Sequence, residues 1–201
     1  MGTLKRGMID SHFHSTEMKK KGMDPQTLLQ ECFHQGLSAA LDVGVRADDL
    51  QERIKLWENE KRIFFAAGIH PGESKNERII QQIDTLENII DIDKVAAIGE
   101  IGLDWYRNHG TPETQKQLFW EQITLANRLN LPVIIHNREA DEDVLSILSN
   151  NTPNAGGIMH CYSSSYEMAK RFIDLGFYIS FAGNVTYRNA KLIQDAATKI
   201  P

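Results

Sequence analysis

Short apolar runs alternate along the whole chain with longer stretches in which apolar residues recur at helical spacing. The strand-like runs fall at 8–14, 38–43, 63–70, 95–101, 132–136, 157–160 and 176–181. Helical candidates follow at 24–35, 47–60, 76–91, 112–129, 139–150, 166–175 and 189–199. This alternation predicts repeated βα units and a parallel sheet. The fourth helical stretch carries the fullest boundary signals: Thr111 as N-cap, Pro112 at the first helical position, Glu113 in the first turn, and Leu118, Phe119, Ile123 and Ala126 at helical spacing. Seven units are one short of a TIM-type (β/α)8 barrel, which is the expected α/β architecture. The doubly wound sheet favours glycine-rich phosphate turns, and no GxGxxG or P-loop follows any strand here.

Composition narrows the picture. A chain of 201 residues with 41% hydrophobic residues can bury one sizeable core, and without a Pro-rich linker, low-complexity segment or short-period repeat it reads as one domain over 1–201. Lys and Arg total 22 against 27 Asp and Glu, so a net charge of −5 gives no global attraction to nucleic acid, and a polyanion must be bound locally. Cys32 and Cys161 lack a CxxC spacing, which argues against a disulfide framework or a thiolate zinc site and suits reducing cytoplasm. No stretch approaches the roughly 20 apolar residues of a membrane span. The start has no apolar core of a signal peptide either. A cytoplasmic protein with no membrane and no obligate protein partner is expected. Residues 1–7 read as a vector-derived or flexible leader, with Met8 the natural start.

Candidate chemistry lies at the strand ends. His12 and His14 share one face of the first strand because strand side chains alternate. Glu100 is a carboxylate in an otherwise apolar run, AAIGEIGLDW, where burial is expensive without a cation or hydrogen-bonding partners. His136 ends LPVIIH and His160 ends GGIMH. Singly, each histidine reads as a hydrogen-bonded structural residue. Four of them and a glutamate at the same end of four parallel strands read as a metal site, since imidazole and carboxylate hold zinc, manganese or magnesium.

These segments resemble the TatD family of metal-dependent deoxyribonucleases, a branch of the amidohydrolase-like barrels. The motifs are IDSHFH at 9–14, AAGIHPGE at 66–73, GEIGLDWYR at 99–107, LPVIIHNREADEDVL at 131–145, HCYSSS at 160–165 and YISFAGNVTYRNA at 178–190. The resemblance implies a TIM barrel with two divalent metal ions: His12 and His14 on the first, Glu100 bridging, His136 and His160 on the second. It also implies phosphodiesters of single-stranded DNA as substrate, cleaved exonucleolytically. Family members continue past the segment resembling TKIP with an eighth strand carrying an acidic ETD motif, whose aspartate has no counterpart before Pro201, so an incomplete barrel and metal site are expected. Gly72 stands where a further histidine is frequent, and Ser164 where glycine is common.

On this reading two cations about 3.5–4 Å apart activate water and stabilise the attacking and leaving oxygens. His70 and Arg138 are candidate phosphate contacts, and Asp104 is a candidate to orient a histidine from behind. Trp105 is expected to pack its loop, with stacking on a base as the alternative. Tyr162 and Ser163 to Ser165 can donate hydrogen bonds at the mouth, unless Ser165 caps the next helix. No GxSxG elbow is present, and alternation in an extended segment turns Cys161 away from His160. Two rivals stand beside the nuclease: an amidohydrolase acting on an amide, ester or deaminable ring, and a non-catalytic protein that binds metal or nucleic acid.

Overall fold

A computed structural model describes residues 7–75, 78–90, 93–107 and 109–201, which leaves residues 1–6 of the expected leader outside the described residues. Seven strands form one sheet: β1 (Met8–Phe13), β2 (Leu37–Val43), β3 (Ile63–Ala67), β4 (Val95–Asp104), β5 (Val133–Arg138), β6 (Gly157–Met159) and β7 (Phe177–Ile179). They lie in sequence order and every neighbouring pair is parallel. The helices are α1 (Ser15–Lys20), α2 (Pro25–His34), α3 (Leu50–Leu56), α4 (Ile79–Ile89), α5 (Pro112–Leu129), α6 (Asp141–Asn150), α7 (Tyr166–Asp174) and α8 (Lys191–Lys199). The sheet curls strongly. The ring of His12 in β1 stacks on that of His160 just after β6, with centroids 3.3 Å apart, although β1 and β6 stand five places apart in the sheet. This is the TIM-type curl that the alternation predicts.

Strands β4 and β5 at the centre of the sheet are buried on both faces, which is why they read as continuous apolar runs, while Met8 to Asp10 of β1 and Tyr178 of β7 are exposed at the edges. On the outer face Leu29 and Phe33 of α2, Leu50 of α3 and Ile83 and Leu86 of α4 pack on Ile63 and Phe65 of β3. Phe119 and Ile123 of α5, Val144 and Leu148 of α6 and Phe172 of α7 cover Ile101, Leu103, Val133 and Ile135. The inner face carries a smaller cluster of Val43, Ala66, Ala97 and Ile134. Burying one such branched or aromatic side chain contributes about 1.5–3 kcal/mol. Among the described residues no helix is long and apolar enough to cross a membrane.

Three departures from the expected elements matter for the site. Helix α1 begins directly after the HFH motif and has too few turns to show a helical apolar period. Strand β3 ends at Ala67, three residues earlier than its apolar run suggests, and the chain then turns through a short 3-10 segment, Pro71–Glu73. Strand β4 continues through Asp104, pairing Gly102 with His136 and Asp104 with Arg138. Glu100 therefore lies within β4, at an irregularity between Gly99 and Ile101. Its backbone N–H donates to Gly44 O (3.0 Å), as bulges beside active sites commonly redirect a side chain.

Candidate metal and active site

Glu100 is the centre of the arrangement. It is buried, and its Oε2 lies 3.3 Å from both His12 Nε2 and His14 Nε2, while Oε1 meets His136 Nδ1 at 2.8 Å. Burial opposes its charge, yet the three imidazoles outweigh that and hold the carboxyl well below its usual range. His14 Nδ1–H donates to Val43 O (2.8 Å), which turns Nε2 inward, 3.0 Å from His12 Nε2. The Nδ1 atoms of His12 and His160 are buried without a hydrogen-bond partner. Two facing ring nitrogens that share one carboxylate oxygen satisfy each other poorly, whereas a cation is the partner such converging donors fit. Nitrogen and carboxylate oxygen form the mixed donor set of zinc and manganese. Two groups of three can each place ligand atoms around one point, His12 with Glu100 and His160, and His70 with Glu100 and His136. Glu100 is common to both.

His136 stands between two carboxylates, with Asp104 Oδ2 3.3 Å from its Nε2. Burial acts to lower its pKa, but these hydrogen bonds prevail and hold it up at about 9. Asp104 is pushed down to about 2, because the His136 contact and the Arg107 backbone N–H outweigh its burial. His160 is driven to about 3 by burial and by the neighbouring His12. For His70, burial lowers the pKa to about 4, so the ring is neutral. Its Nδ1 accepts from Gly72 N (2.9 Å). A backbone N–H only donates, so the His70 proton must sit on Nε2, where it is a donor and not a metal ligand.

The five strand-end residues expected to converge do so, with His70 and Asp104 against them; His160, which the resemblance pairs with His136, groups instead with His12 and Glu100. All but His12 line a cleft of about 550 Å³, together with Arg107, Asn137, Arg138, Cys161, Ser163 and Asn184. Arg138 lies in the wall with its guanidinium 3.9 Å from the centroid of the Tyr106 ring. Cys161 corrects the sequence reading: its φ of 46° breaks the extended alternation, and the residue lines the same cleft as His160. Burial pushes its thiol up, which keeps it from being a nucleophile. Of the mouth hydroxyls, Tyr162 donates to Ser165 O, Ser164 to Asp141, and Ser165 caps α7 by accepting from Met168 N. Ser163 lines the cleft. Trp105 packs against the core and donates its Nε1–H to Asp143.

Sequence reasoning missed the supports behind these residues. Gln122 of α5 accepts from Ile69 N (2.7 Å) and donates to Ile69 O (3.0 Å), fixing the peptide that precedes His70. Two helical turns earlier, Gln115 does the same for Asp104 N (2.9 Å) and Asp104 O (3.2 Å). Fully buried Arg53 donates to Asp42 O and Ala66 O and pairs with Asp49 at 2.7 Å, tying the ends of β2 and β3 beside Gly44, which receives the Glu100 N–H. The available signal was polar residues on the apolar faces of α3 and α5.

A buried carboxylate shared by imidazoles, at the C-terminal ends of parallel strands in a curled sheet, defines a metal-dependent hydrolase of the TIM type. Residues 9–201 match the family described as TatD related DNase. YabD of Bacillus subtilis, an uncharacterized metal-dependent hydrolase, is 33% identical over 195 residues, covering 96% of this chain and 76% of YabD. The similarly described YcfH of Escherichia coli K12 is 32% identical over 197 residues, covering 96% of this chain and 73% of YcfH. A crystal structure of YjjV, a TatD homolog from Escherichia coli K12, superposes with a TM-score of 0.87 at 30% identity, covering 96% of this chain and 75% of that one. The chain belongs to the TatD related DNase family.

Proposed function

We propose that this chain hydrolyses phosphodiester bonds of single-stranded DNA. Water adds across a P–O bond, so that one fragment keeps the phosphate and the other ends in a hydroxyl. The observation that carries the reading is Glu100, a buried carboxylate holding three imidazoles on the floor of a cleft whose lining includes Arg107 and Arg138. His12, His14, Glu100 and His160 would hold one divalent ion, and Glu100 with His136 a second; zinc, manganese and magnesium all suit the donors. When bound, such ions polarise a phosphoryl oxygen and make water acidic enough to supply hydroxide near neutral pH.

The remaining residues bind and orient. Asp104 holds the Nε2–H of His136 and so fixes the ring. Neutral His70 directs Nε2–H into the cleft as a donor to a phosphate oxygen, and Arg138 supplies forked donors from the wall. In a chain of net charge −5 these local donors and the bound cations must supply the attraction for a polyanion. The test is manganese- or magnesium-dependent release of nucleotides from a single-stranded DNA oligomer, with this chain and its His136→Ala variant side by side. Release by the first and not by the second is the expected result; release by neither, with either ion, overturns the proposal.

A further inference from the structure

The cleft is not the only cavity at this end of the sheet. A second one, also about 550 Å³, opens beside it and is lined by Trp105, Tyr106, Arg107 and Asp143 among others. Arg107 lines both cavities. Its backbone N–H is held by Asp104 Oδ1 at 2.8 Å, the carboxylate that also faces His136, so the position of Arg107 is tied to the metal-binding cluster. Among the described residues its exposed guanidinium has no hydrogen bond or ion pair. Tyr106 is 60% exposed, with the Arg138 guanidinium over its ring. Behind them Trp105 Nε1–H is bound to Asp143 Oδ2 (3.1 Å), Lys116 donates to the other oxygen (2.5 Å), and the Lys116 ammonium lies 5.9 Å from the centroid of the indole ring.

We infer that this second cavity is a subsite for the nucleotide next to the scissile phosphodiester in a single-stranded polynucleotide. Arg107 meets the adjoining backbone phosphate as the strand leaves the cleft, and the exposed Tyr106 ring stacks on the base. An aromatic ring and an uncommitted guanidinium side by side match the two parts of a nucleotide, a flat base and an anion, and read no particular base because every base has a π face. The half-buried Trp105 is the support for this shelf and not the stacking surface. The inference rests on the hydrolysis of single-stranded DNA proposed above and adds that the enzyme prefers a strand to an isolated diester.

Two measurements separate the subsite from that reading. In the first, kcat/KM is compared for a thymidine 4-nitrophenyl phosphodiester and a single-stranded thymidine octamer. The ratio favouring the octamer is expected to fall about tenfold in Tyr106→Ala and in Arg107→Gln, mainly through KM, and to be kept in Tyr106→Phe. In the second, fluorescence anisotropy of a labelled octamer reads binding with manganese present in the His136→Ala background, which is expected not to turn over; weakening of about tenfold on adding Tyr106→Ala, with Tyr106→Phe like the parent, is expected. Cleavage with unchanged preference and unchanged binding overturns the subsite and leaves the hydrolytic reading intact. Tyr106-dependent binding without cleavage of either compound supports the subsite and overturns the hydrolytic reading. Neither binding nor cleavage overturns both.

Discussion

His136 is the residue whose proton matters most. Metal-free, it is held at about 9 by Asp104 and Glu100 against the effect of burial, so it is protonated at neutral pH. A ligand must offer a free lone pair, so a metal entering beside Glu100 has to expel that proton. Between pH 7 and about 9 the affinity should therefore rise with pH, by up to about tenfold per unit from this residue, and level off above. Calorimetric titration with manganese in buffers of different ionisation enthalpy measures the proton release; none at pH 7 would refute the assignment. His70 makes the opposite case. It is neutral, with its proton fixed on Nε2 by the Gly72 N–H, so His70→Ala should lower kcat/KM by roughly 10–100-fold through the lost donor and leave the bound metal content unchanged. Metal loss in that variant would make it a ligand instead. At this scale the sequence was informative where chemistry is rare: imidazoles and a carboxylate ending apolar runs have few structural explanations. It misled on Cys161, because a left-handed φ cancels the alternation from which its direction was read.

Helix α5 is the element that couples fold to site. Its apolar stripe, with Leu118, Phe119, Ile123 and Ala126 buried as their spacing predicts, seats it on the sheet, and Thr111 caps it by accepting from Thr114 N. Gln115 and Gln122, seven residues apart and so on the same face, replace apolar residues in that stripe. Gln122 supplies the hydrogen bonds that Ile69 lacks once the chain leaves β3, and Gln115 bonds the N–H and C=O of Asp104 at the last residue of β4. Replacing Gln122 by Leu keeps the helix and its volume but strips the partners from the N–H and C=O of buried Ile69, at a cost of about 1–3 kcal/mol for each group left unpaired. His70 follows immediately, so the variant should lose more activity than a fall in stability explains. Thermal unfolding and kcat/KM measured together decide this; lost stability with full activity would make Gln122 a support for the fold alone. The alternation of periods revealed strands and helices because burial on both faces of a parallel sheet enforces it. It did not reveal α1, whose two turns are too short for a period, nor the buried glutamines, whose partners are backbone groups distant in sequence.

The whole molecule is a curled sheet whose ends are brought together by the site itself. His12 and His14 come from β1 and the residue after it, Glu100 from β4, His136 from β5 and His160 from the turn after β6, so the donors span most of the sheet's width. A cation bound to His12, Glu100 and His160 joins β1, β4 and the turn after β6, which share no backbone pairing, and it binds only the folded arrangement. At a free metal concentration about 100 times Kd, such binding adds about 2.7 kcal/mol to the stability. For a chain of this size that corresponds to a rise in Tm of roughly 5–11 °C. Metal-free protein made with EDTA and then titrated with manganese should show this rise in a thermal scan. The His12→Ala variant should show a smaller one, because its nitrogen is lost from the cluster while the sheet is unchanged. Removing the metal should loosen the C-terminal ends of β1 and β6 before the centre of the sheet, where β4 and β5 pair along the length of β5. Hydrogen exchange reads that order directly: amides near His12 and His160 should exchange faster without metal, while those of Val133 to Ile135 hold. Equal Tm values with and without manganese, and uniform exchange, would mean that the imidazole cluster around Glu100 holds itself together by hydrogen bonds alone.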